Sequence, residues 1–126
     1  MEPSRAPSGA AGRVHVELPA VADAPAAARR ALSELPLGAL RDDALLLASE
    51  LVTSAVHRAP EGGGTVRLDA EAGAAGVRVE VRDAGRRFEP GPEPDYAMRI
   101  VAGAAHRWGV ESDDETRAWF ELDATG

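Results

Sequence analysis

A chain of 126 residues with a formal net charge of -7 and no cysteine is long enough for one core without metal or disulfide support, and disulfides, zinc-thiolate sites and thiol nucleophiles are excluded. All 14 basic residues are Arg, since the sequence contains no Lys and also no Asn or Gln, so phosphate loops of the GxxxxGK[ST] type and Schiff-base enzymes fall away. The acidic balance argues against nonspecific nucleic-acid binding. No apolar run approaches the roughly 18 residues of a membrane span and the first residues lack a signal peptide's apolar stretch, so a cytoplasmic protein that makes no membrane contact is expected.

Residues 1–12 are rich in Pro, Ser, Ala and Gly without periodicity and read as a disordered tail before a single domain over 13–123. From Arg13, RVHVEL puts Val14, Val16 and Leu18 on one face of a half-buried strand, with His15 pointing outward as a surface residue. Asp23 is placed to cap a helix running to Leu35, with Pro25 in its first turn and Ala24, Ala27, Ala28, Ala31, Leu32 and Leu35 along its apolar stripe. Pro36 and Gly38 stop it.

The longest periodic stretch is LRDDALLLASELVTSAVHRA, residues 40–59. Ala44, Ala48, Leu51, Val52, Ala55, Val56 and Ala59 share one arc, as a helix packed on a sheet requires. Glu50, Ser54 and His57 fall on the other side at i, i+4 and i+7, bordered by Leu46 and Leu47. That row is either a covered, functional carboxylate with polar neighbours or an ordinary solvated stripe.

After an EGGG turn, two alternating segments, 65–70 and 77–81, make a hairpin. Asp83 has the parity of Val77, Val79 and Val81. If the strand continues, its carboxylate points to the helix-covered side, where it needs donors from the protein or a ligand. The other reading is a turn at Asp-Ala-Gly with Asp83 in water. The EPGPEP run, alternating Pro with acid, is irregular. A helix is expected from Tyr96 to about Trp108, with Asp95 as cap and Ala97, Ile100, Val101, Ala104, Ala105 and Trp108 inward. A last strand over 116–122 faces Thr116, Ala118, Phe120 and Leu122 inward. The order βααββαβ makes an α/β two-layer sandwich, a mostly antiparallel sheet with helices on one face.

The segments SELVTSAVHRA, VRVEVRDAG and RIVAGAAHRWGVESDDETRAWFEL, in this order and spacing, resemble the anti-sigma-factor serine kinases and their small bacterial relatives. These belong to the GHKL (Bergerat-fold) ATPase superfamily, with histidine-kinase ATP domains and gyrase. The resemblance spans residues 14–122 and implies ATP and Mg2+ as cofactors. In the family the long helix carries ExxxN, its Glu a base or water-positioner and its Asn a magnesium ligand. Glu50 matches, and the Asn position is Ser54, a shorter ligand for an ion that enforces octahedral geometry, so weaker metal binding follows. The family's DxGxG motif corresponds to Asp83 and Gly85, with Asp83 on the adenine amino group and Thr116 supporting it. Its second Gly is Arg87, which must leave the pocket or stretch toward phosphate. The glycine-rich lid that would cradle phosphates aligns with Asp95, Tyr96, Ala97 and Met98, and both its glycines are gone. The loop before it carries Glu89 and Glu93. At about 5 Å and an effective dielectric near 20, one such carboxylate opposes a phosphate charge by roughly 3 kcal/mol, on the order of a hundredfold in affinity. Arg86, Arg87 and Arg99 are candidate phosphate contacts that offset part of this.

The resemblance therefore implies one of two functions, beside a third reading in which the chain is a scaffold with the fold and no related role. In the first the protein is a diverged regulator that binds a sigma factor or an anti-sigma antagonist protein, with ATP binding weakened or lost. The alternative is an active ATP- and Mg2+-dependent protein serine/threonine kinase and anti-sigma factor, with Glu50 as base. A homodimer is compatible with either. In both, Glu50 and Asp83 are expected to face one pocket.

Overall fold

The computed structural model describes residues 10–59, 63–84, 96–112 and 114–124. Strand β1 (Ala10–Pro19) leads into helix α1 (Ala24–Leu32), a single 3-10 turn (Gly38–Leu40) and the long helix α2 (Arg41–Arg58). The hairpin β2 (Thr65–Gly73) and β3 (Gly76–Asp83) follows, then α3 (Tyr96–Ala104) and a second hairpin, β4 (Arg107–Ser112) and β5 (Thr116–Asp123). The five strands form one antiparallel sheet in the order β1-β2-β3-β5-β4.

Alternation decides which face is covered. Val66, Leu68, Ala70 and Ala72 of β2, Val77, Val79 and Val81 of β3, and Ala118, Phe120 and Leu122 of β5 are all buried, because their parity points them at the helices. From above, Ala24, Ala28 and Leu32 of α1 and Ala44, Leu47, Ala48, Leu51, Val52 and Ala55 of α2 close on them. Among the described residues the core is built from Ala, Val and Leu plus one aromatic ring, Phe120. No helix among the described residues is long and apolar enough to cross a membrane.

Several sequence expectations are corrected. The strand order gains a fifth member: the third helix ends at Ala104 and not near Trp108, and Arg107–Ser112 pairs along β5. Helix ends are set by where backbone partners exist, and here the His106 N–H donates to the Glu121 carbonyl at 3.0 Å, drawing the chain into the sheet. Trp108, read as a buried helical position, lies opposite Phe120 on the edge strand and is 44% exposed; Ala104 is exposed too. The first strand starts at Ala10, not Arg13, and is bulged between Ala10 and Gly12. Helix α1 stops at Leu32, although Leu35 remains in the core, and Asp23 makes no side-chain capping bond. In α2, Leu47 is fully buried while Leu46 is exposed. The expected cap Asp95 lies outside the described residues.

The uncovered face stays wet because its charges alternate across the whole sheet. Register aligns Arg13, Glu71, Arg78, Glu121 and Arg107 in one row over all five strands. Pairs close within it at 2.9 Å (Arg13 with Glu71), 2.9 Å (Arg78 with Glu121) and 2.6 Å (Arg107 with Glu121). Opposite charges at cross-strand positions stabilise a sheet by a few tenths of a kcal/mol per pair. Hydrogen bonds to Glu121 and then Asp123 raise the Arg107 pKa above its ordinary value, and a hydrogen bond to Glu111 does the same for Arg117. His15 lies on this face, as expected, at 2.6 Å from Asp69.

The same face explains Gly109. Trp119 leans across from β5 with the Arg78 guanidinium 4.5 Å over its ring, and a Cβ on Gly109 would sit 2.7 Å from the indole Nε1. Gly109→Ala is therefore expected to tilt the indole, loosen the cation-ring contact and lower stability by about 1 kcal/mol in urea unfolding. An unchanged midpoint would show that the indole is free to move aside at no cost.

Candidate functional site

The site is built where the end of α2 meets the ends of β3 and β5. Strand β3 does run on to Asp83, whose side chain is 3% exposed on the helix-covered face. That settles its direction, inward and not into a solvated turn. Its cross-strand neighbour is Thr116, fully buried at the start of β5. Thr116 Oγ1 shares a hydrogen bond of 3.1 Å with the Ser112 hydroxyl of β4. So Asp83 and Thr116, linked in the sequence only through the family pattern, are adjacent.

Asp83 takes its donor from the protein. Arg58, in the last turn of α2, places Nη2 2.7 Å from Asp83 Oδ2, and its Nη1 donates to the Ser54 hydroxyl one turn back at 2.8 Å. A charge-assisted bond of that length to a carboxylate is among the stronger protein hydrogen bonds. A cation in the last turn also meets the negative end of the helix dipole. The Ser54 hydroxyl, the candidate metal ligand, therefore accepts a bond from a cation. Among the described residues no group of three His, Asp or Glu side chains is arranged to hold a metal ion.

The polar row of α2 is Glu50, Ser54 and Arg58, at i, i+4 and i+8. His57 is exposed and lies off it. Glu50 is half-buried, two turns and so about 12 Å along the axis from Arg58. It does not line the hollow beside Arg58 and makes no hydrogen bond or ion pair among the described residues. No contact joins Glu50 to Asp83 among the described residues, and the group that meets Asp83 is Arg58. Arg99, proposed for phosphate, is exposed on α3 and forms no ion pair among the described residues. Gly85, Arg86, Arg87, Glu89, Glu93 and Asp95, which carry the rest of the expected nucleotide motifs, lie outside the described residues.

The hollow itself is lined by Leu51, Ser54, Arg58, Met98, Val110 and Thr116, with Ala118 at its floor, and encloses only about 10 Å³. That is room for about one water molecule. A purine ring does not fit there while Arg58 lies on Asp83. A far wider concavity, about 620 Å³, opens on the other face of the sheet over the Arg78, Trp119 and Glu121 side chains. Its walls are the charge pairs already described, with Trp119 and Ala70 between them, whereas the smaller hollow adjoins the Arg58 side chain that meets buried Asp83 and is the candidate site.

Arg58 and Ser112 were missed from sequence. Arg58 had a signal, its spacing of four from Ser54 beside an Asp that required a donor. Ser112 had none, because its strand was not foreseen. No protein-family model matches the chain, and no curated protein matches it.

Proposed function

We propose that the protein is a diverged member of the anti-sigma-factor serine-kinase-like group of GHKL ATPases. It acts in bacterial transcription control by contact with a sigma factor or an anti-sigma antagonist, and it has largely given up ATP. Support for the fold comes from the antiparallel sheet under one layer of helices and from the long helix bearing Glu50 and Ser54. The juxtaposition of Asp83 with Thr116 adds to it. The single observation that carries the functional half is the Arg58 guanidinium on Asp83. In the family this carboxylate would receive adenine; here the chain fills it.

Phosphoryl transfer depends almost entirely on positioning and on metal and lid electrostatics, and the Ser54 and Arg58 side chains work against the first two. For the alternative reading, an active kinase, Arg58 would have to vacate Asp83 and Ser54 on binding. A phosphoryl-transfer assay decides between them: with labelled ATP and magnesium, neither the wild type nor Ser54→Asn is expected to release or transfer phosphate above background. Restoring the amide leaves the Arg58 obstruction in place, so a large gain from Ser54→Asn alone would refute the proposal, as would turnover by the wild type.

A further inference from the structure

We infer that the outer edge of β4 (Arg107–Ser112) pairs antiparallel with β4 of a second copy of this chain, about a two-fold axis at Gly109, so that two five-stranded sheets join into one. Such pairing involves neither Asp83 nor Arg58 and is independent of any nucleotide or regulatory partner.

Three observations carry it. The first is the difference between the two edges of the sheet. An edge strand presents unpaired N–H and C=O groups, and proteins commonly blunt it with a bulge or a proline. Strand β1 has both, a register shift between Ala10 and Gly12 and Pro19 at its end. Strand β4 has neither. It pairs along β5 without a shift from Arg107 to Ser112, and among the described residues no strand covers its other side.

The second is apolar exposure on that edge. Trp108 lies opposite the buried Phe120 yet is 44% exposed, the largest exposed apolar side chain among the described residues. The third is self-complementarity. With Gly109 opposite the partner's Gly109, Arg107 falls opposite the partner's Glu111 and Trp108 opposite the partner's Val110. Opposite charges and aromatic with β-branched residues are favourable cross-strand neighbours. Moving the axis by one residue sets Gly109 against Arg107 or Glu111 and loses both charge pairs. The alternation on the open face also continues across the seam, since Arg13, Glu71, Arg78, Glu121 and Arg107 would be followed by the partner's Glu111 and then the partner's Arg117. Arg107 is held by Glu121 and Asp123, and Glu111 by Arg117, all on β5. Those bonds need not break, because a guanidinium has five donors and a carboxylate accepts several. Six residues on each side make a small contact, so a dissociation constant of about 1–100 μM is expected.

Sedimentation velocity on the full chain, from about 1 to 300 μM, spans that range and is the test. The wild type is expected to show a monomer–dimer equilibrium without larger species, since a two-fold contact closes on itself. Glu111→Arg and Arg107→Glu each place like charges opposite one another twice per dimer and should weaken it at least about tenfold. Mixed in equal amounts, the two variants should pair with each other and recover most of that loss, because each meets the opposite charge on its partner. Recovery in the mixture separates a charge effect at the seam from misfolding. Trp108→Ser leaves the charges in place and should also weaken the dimer; it is the deciding variant if either charge reversal fails to melt cooperatively. A wild type that stays monomeric at the top of the range, or assembles beyond two copies, would overturn the inference. So would a dimer indifferent to Glu111→Arg or to Trp108→Ser, or a mixture of folded charge variants that does not pair.

Discussion

Asp83→Ala is expected to lower the unfolding free energy by roughly 3 kcal/mol, at the lower end of the range for breaking a buried ion pair because Arg58 keeps partial access to water. Two effects add. The guanidinium loses its carboxylate while its stem stays packed against Ser54 and the hollow, and the buried position across the strands from Thr116 loses its polar side chain. For a chain of this size that corresponds to a fall in melting temperature on the order of 10 °C. Arg58→Met combined with Asp83→Leu should cost much less, within about 1 kcal/mol of the wild type, since replacing both members of a buried pair with apolar groups of similar volume is commonly neutral. Together with the single variants Arg58→Met and Asp83→Leu, the wild type and this double variant form a double-mutant cycle in urea. A coupling near zero would mean that the pair contributes nothing beyond two independent side chains.

The second large effect is Phe120→Ala, expected to cost about 3–5 kcal/mol. Phe120 is fully buried, and among the described residues it is the largest of the fully buried side chains. It sits on β5 between Val79 of β3 and Trp108 of β4. The residues that could collapse into the space are Ala, Val and Leu held by sheet and helix backbone, so the cavity would persist and its cost with it. Since the total stability of a domain is only about 5–15 kcal/mol, this variant should be marginal at 37 °C. Phe120→Leu, which keeps most of the volume, should lose no more than about 1.5 kcal/mol. A Phe120→Ala loss below that of Phe120→Leu would show that the ring does not anchor the core.

The pattern of what the sequence disclosed follows from how each feature is encoded. Strands β2, β3 and β5 alternate strictly and were readable, and the same parity argument put Asp83 on the covered face. Strand β4 was not readable, because RWGVES offers only Trp108 and Val110 to the alternation and its Gly109 gets its cover from Trp119 on a neighbouring strand. Sheet stability is a cross-strand property, and one-dimensional periodicity cannot see it. At the site, Arg58 joins Ser54 to Asp83, which pairs in register with Thr116, whereas Glu50 stands apart from the hollow. Arg58 changes the chemistry most. Periodicity does not single it out, because its partner lies 25 positions away in sequence and only tertiary packing brings them within bonding distance.

The claim on which the functional reading depends is that the chain occupies its own pocket, and calorimetric titration of the wild type with ATP and ADP, with and without magnesium, addresses it most directly. Heats no larger than dilution up to millimolar nucleotide, in both buffers, are the predicted result. Saturable binding at micromolar concentration, strengthened by magnesium, would contradict it.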